Sequence, residues 1–227
     1  MYLSRITFNP LVSSQQLANI FCQDRYKEHQ ALWRLFDTDP EAERDFLYRQ
    51  TLEQGRVKYY VLSERQPVDT TGIWLVSDPK PYDPKLFTGQ KLFFNLRANP
   101  IVTVRLENGR KERRDVVMNE KKRINFKELP KETRPLEQEI VQQTCIPWLA
   151  QRSKRLGFQL QPDTIMVDGY QQHESRSKNT SAAIRYSTVD FQGVLTVTEP
   201  ETFKQTLFKG LGKARAFGCG LLLIKPI

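Results

Sequence analysis

Three prolines in six residues, Pro79-Lys-Pro-Tyr-Asp-Pro84, interrupt this 227-residue chain. Each proline fixes φ and removes a backbone donor, so the segment can propagate neither a helix nor a sheet ladder. It divides the chain in two, with a similar order of elements on each side. Before it, residues 2–8 alternate like a half-buried strand. Asn9-Pro10 ends that strand, Ser13 or Ser14 caps a helix running to about residue 36, and Asp37-Thr-Asp-Pro40 stops it. Residues 45–51 and 57–63 read as strands joined through Glu53-Gln-Gly55, with another strand at 73–77. After the prolines, 91–105 is strand-like and a charged hairpin leads into Asp115-Val-Val-Met118. Residues 135–156 are helical, with Ile140, Trp148 and Leu149 as core members. Strands at 158–168 and 187–198 flank a polar hairpin, a short helix covers 199–209, and a strand at 218–225 closes the chain. Strand, helix, two strands, then a later helix and strand, taken twice, predicts the α+β class. The specific expectation is two tandem ferredoxin-like domains, over residues 1–84 and 89–227. No close internal repeat accompanies the pattern, so the duplication rests on element order.

Charge narrows the partner. Lys and Arg number 35 against 26 Asp and Glu, a formal net charge of +9 that points to a polyanion, most simply nucleic acid. The excess is uneven: residues 105–123 hold eight Lys/Arg against four acids, and five Lys/Arg follow Glu201 with no acid. No apolar run approaches the ~20 residues of a membrane span. The three cysteines, Cys22, Cys145 and Cys219, form no CxxC pair, which argues against a zinc site or a disulfide framework and for a reducing cytoplasm. With two histidines, His29 and His173, no dedicated metal centre is expected, and no cofactor.

The last eighteen residues place Gly210, Gly212, Gly218 and Gly220 around Lys213 and Arg215, directly before an apolar strand. Glycine allows close backbone approach to a ligand, and the two cations suit an anion. The run is neither a phosphate loop, lacking Gly-Lys-Ser/Thr at the required spacing, nor a dinucleotide fingerprint, since Arg215 stands where the third glycine belongs. It reads equally as a helix C-cap followed by a tight strand entry.

Over one continuous first helix, Leu17, Ile20, Phe21, Ala31, Leu32 and Leu35 fall on one side, interrupted by Asp24 and Glu28. Cys22, Tyr26, His29 and Trp33 fall on nearly the opposite side, which predicts that His29 lies outside its own domain's core. Tyr26 and His29 sit one turn apart and can converge on one ligand. Histidine titrates near neutrality and tyrosine can donate to a reacting oxygen. Beside RNA, the pair suits attack of a ribose 2′-hydroxyl on the adjacent phosphorus, with Arg25, Lys27 and Arg34 stabilising charge on the phosphate. By spacing alone, the simpler reading is a surface histidine with no catalytic role.

Five segments recur in the same order in one family: Met1-Tyr-Leu-Ser-Arg5, Tyr26-Lys-Glu-His-Gln-Ala-Leu-Trp33, Arg44-Asp-Phe-Leu47, Phe94-Asn-Leu-Arg-Ala-Asn-Pro100 and the tail from Gly210. Together they resemble the CasE family, the repeat-processing endoribonucleases of type I-E CRISPR systems. The resemblance spans nearly the whole chain and implies tandem ferredoxin-like domains of the repeat-associated RNA-binding type. It implies metal-independent cleavage of precursor CRISPR RNA at the 3′ base of each repeat stem-loop, leaving a 2′,3′-cyclic phosphate or its opened form and a 5′-hydroxyl. It matches the family's catalytic histidine to His29, the partner tyrosine to Tyr26 and the glycine-rich loop to residues 210–220. It further implies that the product stem-loop stays bound and that the chain joins other subunits of the Cascade surveillance complex in a prokaryotic cytoplasm. One position departs from the family pattern: Glu28 precedes the histidine, where an apolar residue is common, so the helix packing here is expected to be unusual.

An A-form stem is recognised chiefly through shape and phosphate charge. The stem-contacting candidates are Arg110, Lys111, Arg113 and Arg114 in one basic segment and Arg176 and Lys178 in another, with Arg185. Arg97, Gly210, Gly212, Lys213 and Arg215 complete the predicted RNA-binding set. His173 reads as a bystander or an RNA contact, and Trp33, Trp74 and Trp148 as core or interface residues. The alternative function is a non-catalytic RNA-binding scaffold of a guide-RNA complex. A nucleotide-dependent enzyme is disfavoured by the missing phosphate-binding motifs.

Overall fold

Alternation in Tyr2–Phe8 buries Ser4 and Ile6 along β1, the strand that sits inside the first sheet. The computed structural model describes residues 1–21, 25–36, 45–175 and 183–227, with side chains in those ranges outside 19–26. Sheet one has the order β2-β3-β1-β4, with β2 (Phe46–Glu53), β3 (Arg56–Ser63) and β4 (Trp74–Val76) antiparallel to their neighbours. Its core face joins Ile6, Phe46, Tyr48, Tyr59, Val61 and Trp74 to Ala31, Leu32, Leu35 and Phe36. The proline-rich segment begins by adding a two-residue strand, β5 (Lys80–Pro81), to the start of β1.

The first helical region is described in two parts, on either side of residues 22–24, which lie outside the described residues. Ser13 and Gln16 form a reciprocal capping box at the start of α1 (Ser14–Phe21), with Gln16 N donating to Ser13 Oγ at 3.3 Å and Ser13 N to Gln16 Oε1 at 3.1 Å. The second helix, α2, spans Arg25–Trp33. Between β3 and β4 the structure has a loop where a ferredoxin-like unit has its second helix. Asp69 organises that loop, accepting from Thr71 N at 2.8 Å and Trp74 N at 2.9 Å.

Sheet two repeats the strand order as β10-β11-β6-β12, formed by β6 (Lys91–Ala98), β10 (Met166–Ser175), β11 (Ile184–Val197) and β12 (Leu222–Pro226). Asn99-Pro100 splits the expected 91–105 strand, because proline cannot donate to the ladder. The chain then forms the hairpin β7 (Ile101–Arg105) and β8 (Lys111–Asp115) and helix α3 (Val116–Arg123). Helix α4 (Glu137–Ser153), strand β9 (Phe158–Leu160) and helix α5 (Pro200–Lys209) complete the unit. Phe94, Leu96, Phe191 and Leu195 pack there against Ile140, Trp148, Leu149 and Phe203. The two halves meet through a smaller apolar cluster of Leu47, Leu62 and Leu221.

Candidate functional site

Helix α2 is seated by Ala31, Leu32 and the buried Glu28, which makes its packing unusual, as the sequence led us to expect. This carboxylate is 5% exposed and accepts a 2.7 Å hydrogen bond from the Tyr59 hydroxyl, which itself accepts from Gln50 Nε2 at 3.2 Å. Burial and the adjacent carboxylate push the Tyr59 phenol well above its ordinary pKa. One residue further on, about 100° around the helix, His29 meets the edge of β2. Its half-buried ring stacks at 6.0 Å from Phe46 and 6.3 Å from Tyr48, and meets Trp33 edge-on at 5.6 Å. The core side of α2 is the one read from the sequence, with Ala31, Leu32, Leu35 and Glu28 all buried. His29 lies half-buried at the border of that core, against Phe46 and Tyr48.

The glycine-rich segment closes over the same strand. Tyr48 donates its hydroxyl to Ala216 O at 3.0 Å, within a 3-10 turn over Arg215–Phe217 that packs against α2. A Cβ on Gly218 would lie 3.2 Å from Tyr48 Cε2, and one on Gly210 would lie 2.7 Å from Leu47 Cδ1. Both glycines have positive φ, 75° and 73°. Leu211 N donates to Gly220 O at 2.9 Å, and Gly220 N donates to Arg97 O at 2.8 Å. These glycines thus serve close packing between the halves. Arg215 curls back on its own loop, donating to Gly210 O at 3.1 Å and Gly212 O at 3.3 Å. Half-buried Gly212 has a φ of 84°, and Lys213 remains exposed.

From this turn a cleft of about 860 Å³ opens between β8 and the β10–β11 hairpin, and Arg113, Arg185 and Lys213 all line it. An aromatic ladder forms one wall: Phe217 stacks on Tyr186 at 4.4 Å, and Tyr186 on His173 at 4.9 Å. His173 Nε2 shares a 2.8 Å hydrogen bond with Thr188 Oγ1. Arg185 meets Glu174 at 3.1 Å on an exposed surface, a pair that adds little stability and exchanges readily for another anion. Arg110 and Lys111 are exposed at the tip of the β7–β8 hairpin, beside Arg113. Arg114 is held by Glu112 at 2.7 Å.

Other predicted residues go elsewhere. Lys27 and Arg34 line a separate depression with Thr71, Ile73 and Trp74, on the side of α2 away from the His29 ring. Arg97 points between the halves, donating to both oxygens of Asp190 at 2.8 and 2.7 Å, and these bonds raise its pKa. The side chains of Arg25 and Tyr26, and residues Arg176 and Lys178, lie outside the described part of the structure. The sequence reading missed Arg49, which is 5% exposed and contacts Asp190 Oδ1 at 3.3 Å. Its signal was a charged residue in an otherwise buried strand segment, Phe46-Leu-Tyr-Arg49.

Tandem ferredoxin-like sheets, a histidine at their seam and a basic cleft alongside define a class of nucleic-acid-directed proteins. A family model described as CRISPR associated protein matches residues 1–226, so the chain belongs to that CRISPR-associated family. It is 30% identical to the Cascade subunit CasE of Escherichia coli K12 and 28% identical to the CRISPR-associated endoribonuclease Cse3 of Thermus thermophilus, each over the full length of both chains. The structure of Thermus thermophilus Cse3 bound to an RNA representing a pre-cleavage complex superposes with a TM-score of 0.71 at 25% identity, covering 99% of this chain and 98% of that one. Among the described residues, no helix is long and apolar enough to cross a membrane.

Proposed function

We propose that the chain is a metal-independent endoribonuclease that cleaves precursor CRISPR RNA at the 3′ base of the repeat stem-loop. It then keeps the product stem-loop as a Cascade subunit in a prokaryotic cytoplasm. The N-terminal domain, residues 1–84, carries the catalytic helix, and residues 89–227 carry the stem-binding surface. The observation that carries this reading is the placement of His29. Its imidazole is held by Phe46, Tyr48 and Trp33 beside the turn that leads into the basic cleft. Full-length kinship with proteins named as an endoribonuclease and as a Cascade subunit supports it.

In this mechanism the phosphates of the stem engage Arg113, Arg185 and Lys213, with Arg110 and Lys111 further along the hairpin. The scissile phosphate lies at the seam. Removal of the 2′-hydroxyl proton allows O2′ to bond to phosphorus while the bond from phosphorus to O5′ breaks. The departing O5′ gains a proton, leaving a 2′,3′-cyclic phosphate and a 5′-hydroxyl. His29 handles proton transfer, and Tyr26, three residues earlier on α2, is its partner. The aromatic shelf restricts the imidazole's rotamers and pre-orients it for this step.

The test is cleavage of a repeat hairpin in EDTA, alongside the same RNA carrying a 2′-deoxynucleotide just upstream of the cut. Cleavage of the first and survival of the second is the expected result. Binding without cleavage would favour the scaffold function, and cleavage that persists in His29→Ala would remove His29 from the mechanism.

A further inference from the structure

Consecutive residues of β2 face opposite ways. Tyr48 looks into the N-terminal core, where it stacks on His29 and bonds the glycine-rich turn. Arg49 looks across to the second half, where its Nη2 meets Asp190 Oδ1 on β11. Asp190 is also gripped by Arg97 of β6, whose backbone carbonyl holds Gly220. Three side chains from three strands thus link the shelf beneath His29 to the strand that anchors the glycine-rich segment.

Stability alone does not account for Arg49. Arg97 already satisfies Asp190 with two good hydrogen bonds, so the pair is neutral without a second guanidinium. Nε and Nη1 of Arg49 are buried and find no hydrogen-bond partner among the described residues. Burial drags its pKa down to about 10 against the pull of Asp190. An apolar side chain of similar volume would pack there at lower cost. What Arg49 adds is a directional bond across the seam.

We propose that Arg49, with Asp190 and Arg97, is a latch that fixes the half carrying His29 in register with the half carrying the basic cleft, so that Arg49 is a positioning residue for cleavage. The proposal rests on the ribonuclease reading above. Misplacement of a reacting group by about 1 Å costs on the order of 100-fold in rate, so a loosened seam shows in the chemical step before it shows in affinity.

The test uses the full chain, with Arg49→Met and Arg49→Lys beside the wild type. Affinity is measured on the 2′-deoxy repeat hairpin, cleavage under single-turnover conditions at saturating protein, and amide hydrogen exchange across residues 210–220. Arg49→Met should bind within about threefold of wild type and cleave about thirtyfold or more slowly, with faster exchange in that segment, whereas Arg49→Lys should recover most of the rate. Cleavage by Arg49→Met within about twofold of wild type overturns the proposal, as does a matched loss of binding and cleavage, which a merely structural role would give. If the wild type cleaves no repeat RNA, the ribonuclease reading falls instead. Exchange then decides the latch alone, and unchanged exchange in Arg49→Met sinks it.

Discussion

Glu28 and His29 leave adjacent positions of α2 in different directions, and each direction has its own consequence. His29 rests on Phe46 and Tyr48 of β2, where the proposed mechanism has its imidazole exchange protons with the substrate. Replacing it with alanine should lower the single-turnover cleavage rate by about 100- to 10,000-fold while hairpin affinity stays within about threefold, measured by gel-resolved cleavage and filter binding. Glu28 turns inward, and its bond from Tyr59 fixes the rotation of the helix that aims His29. Tyr59→Phe leaves a buried carboxylate short of a donor and should destabilise the fold by about 1.5–3 kcal/mol at pH 8 in urea unfolding. That penalty is pH-dependent with a definite sign. Tyr59 holds its proton in the fold while the unfolded chain releases it near the ordinary phenol value of 10.0, so as pH rises past that point this group costs the wild type stability in a way the phenylalanine variant escapes, the remaining raised phenols acting equally in both. The gap between the two should therefore narrow above about pH 10, and a constant gap would show that Tyr59 is not held protonated.

The glycine-rich segment shows how an element's purpose depends on what it packs against. Gly210→Ala combines a positive φ with a Cβ that collides with Leu47 and nearly touches Gly220 O, whereas Gly89→Ala has a φ of 85° and open space around its Cβ. The first should cost about 1–3 kcal/mol more than the second, and it should slow cleavage because the turn it displaces carries Ala216 and so the support of Tyr48. Equal Tm values for the two variants would refute the close-packing role. From the sequence, these glycines stood between anion clamp and ordinary turn, because Leu47 and Tyr48 lie more than 150 residues away and leave no local mark. The strands were legible for the opposite reason. In β1, β6 and most of β11, one buried face imposes a period of two on the residues themselves. His29 stood out by residue type, but its aromatic shelf comes from β2. The Arg49–Asp190 contact spans 141 residues and has no sequence signature.

At the scale of the whole molecule, the net charge of +9 overstates what is available to a polyanion. Arg49 and Arg97 are committed to Asp190 at the seam, and Arg215 to the carbonyls of its own loop. The cations lining the second half's cleft and hairpin are outward: Arg110, Lys111, Arg113 and Lys213, with Arg185 in an exposed pair with Glu174 that exchanges readily for phosphate. Only outward cations that displace counterions contribute to the salt dependence of RNA binding. Replacing Arg113, Arg185 or Lys213 singly with alanine should therefore reduce the slope of log affinity against log salt by about one each. Arg97→Met removes the same formal charge yet should leave that slope unchanged, because its guanidinium is engaged by Asp190. Its cost should fall instead on the thermal midpoint and the cleavage rate, as the seam loses one of its three partners. Titrating hairpin binding from low to high salt for all four variants separates the two kinds of arginine. A slope that falls by about one for Arg97→Met would place that side chain on the RNA rather than in the seam.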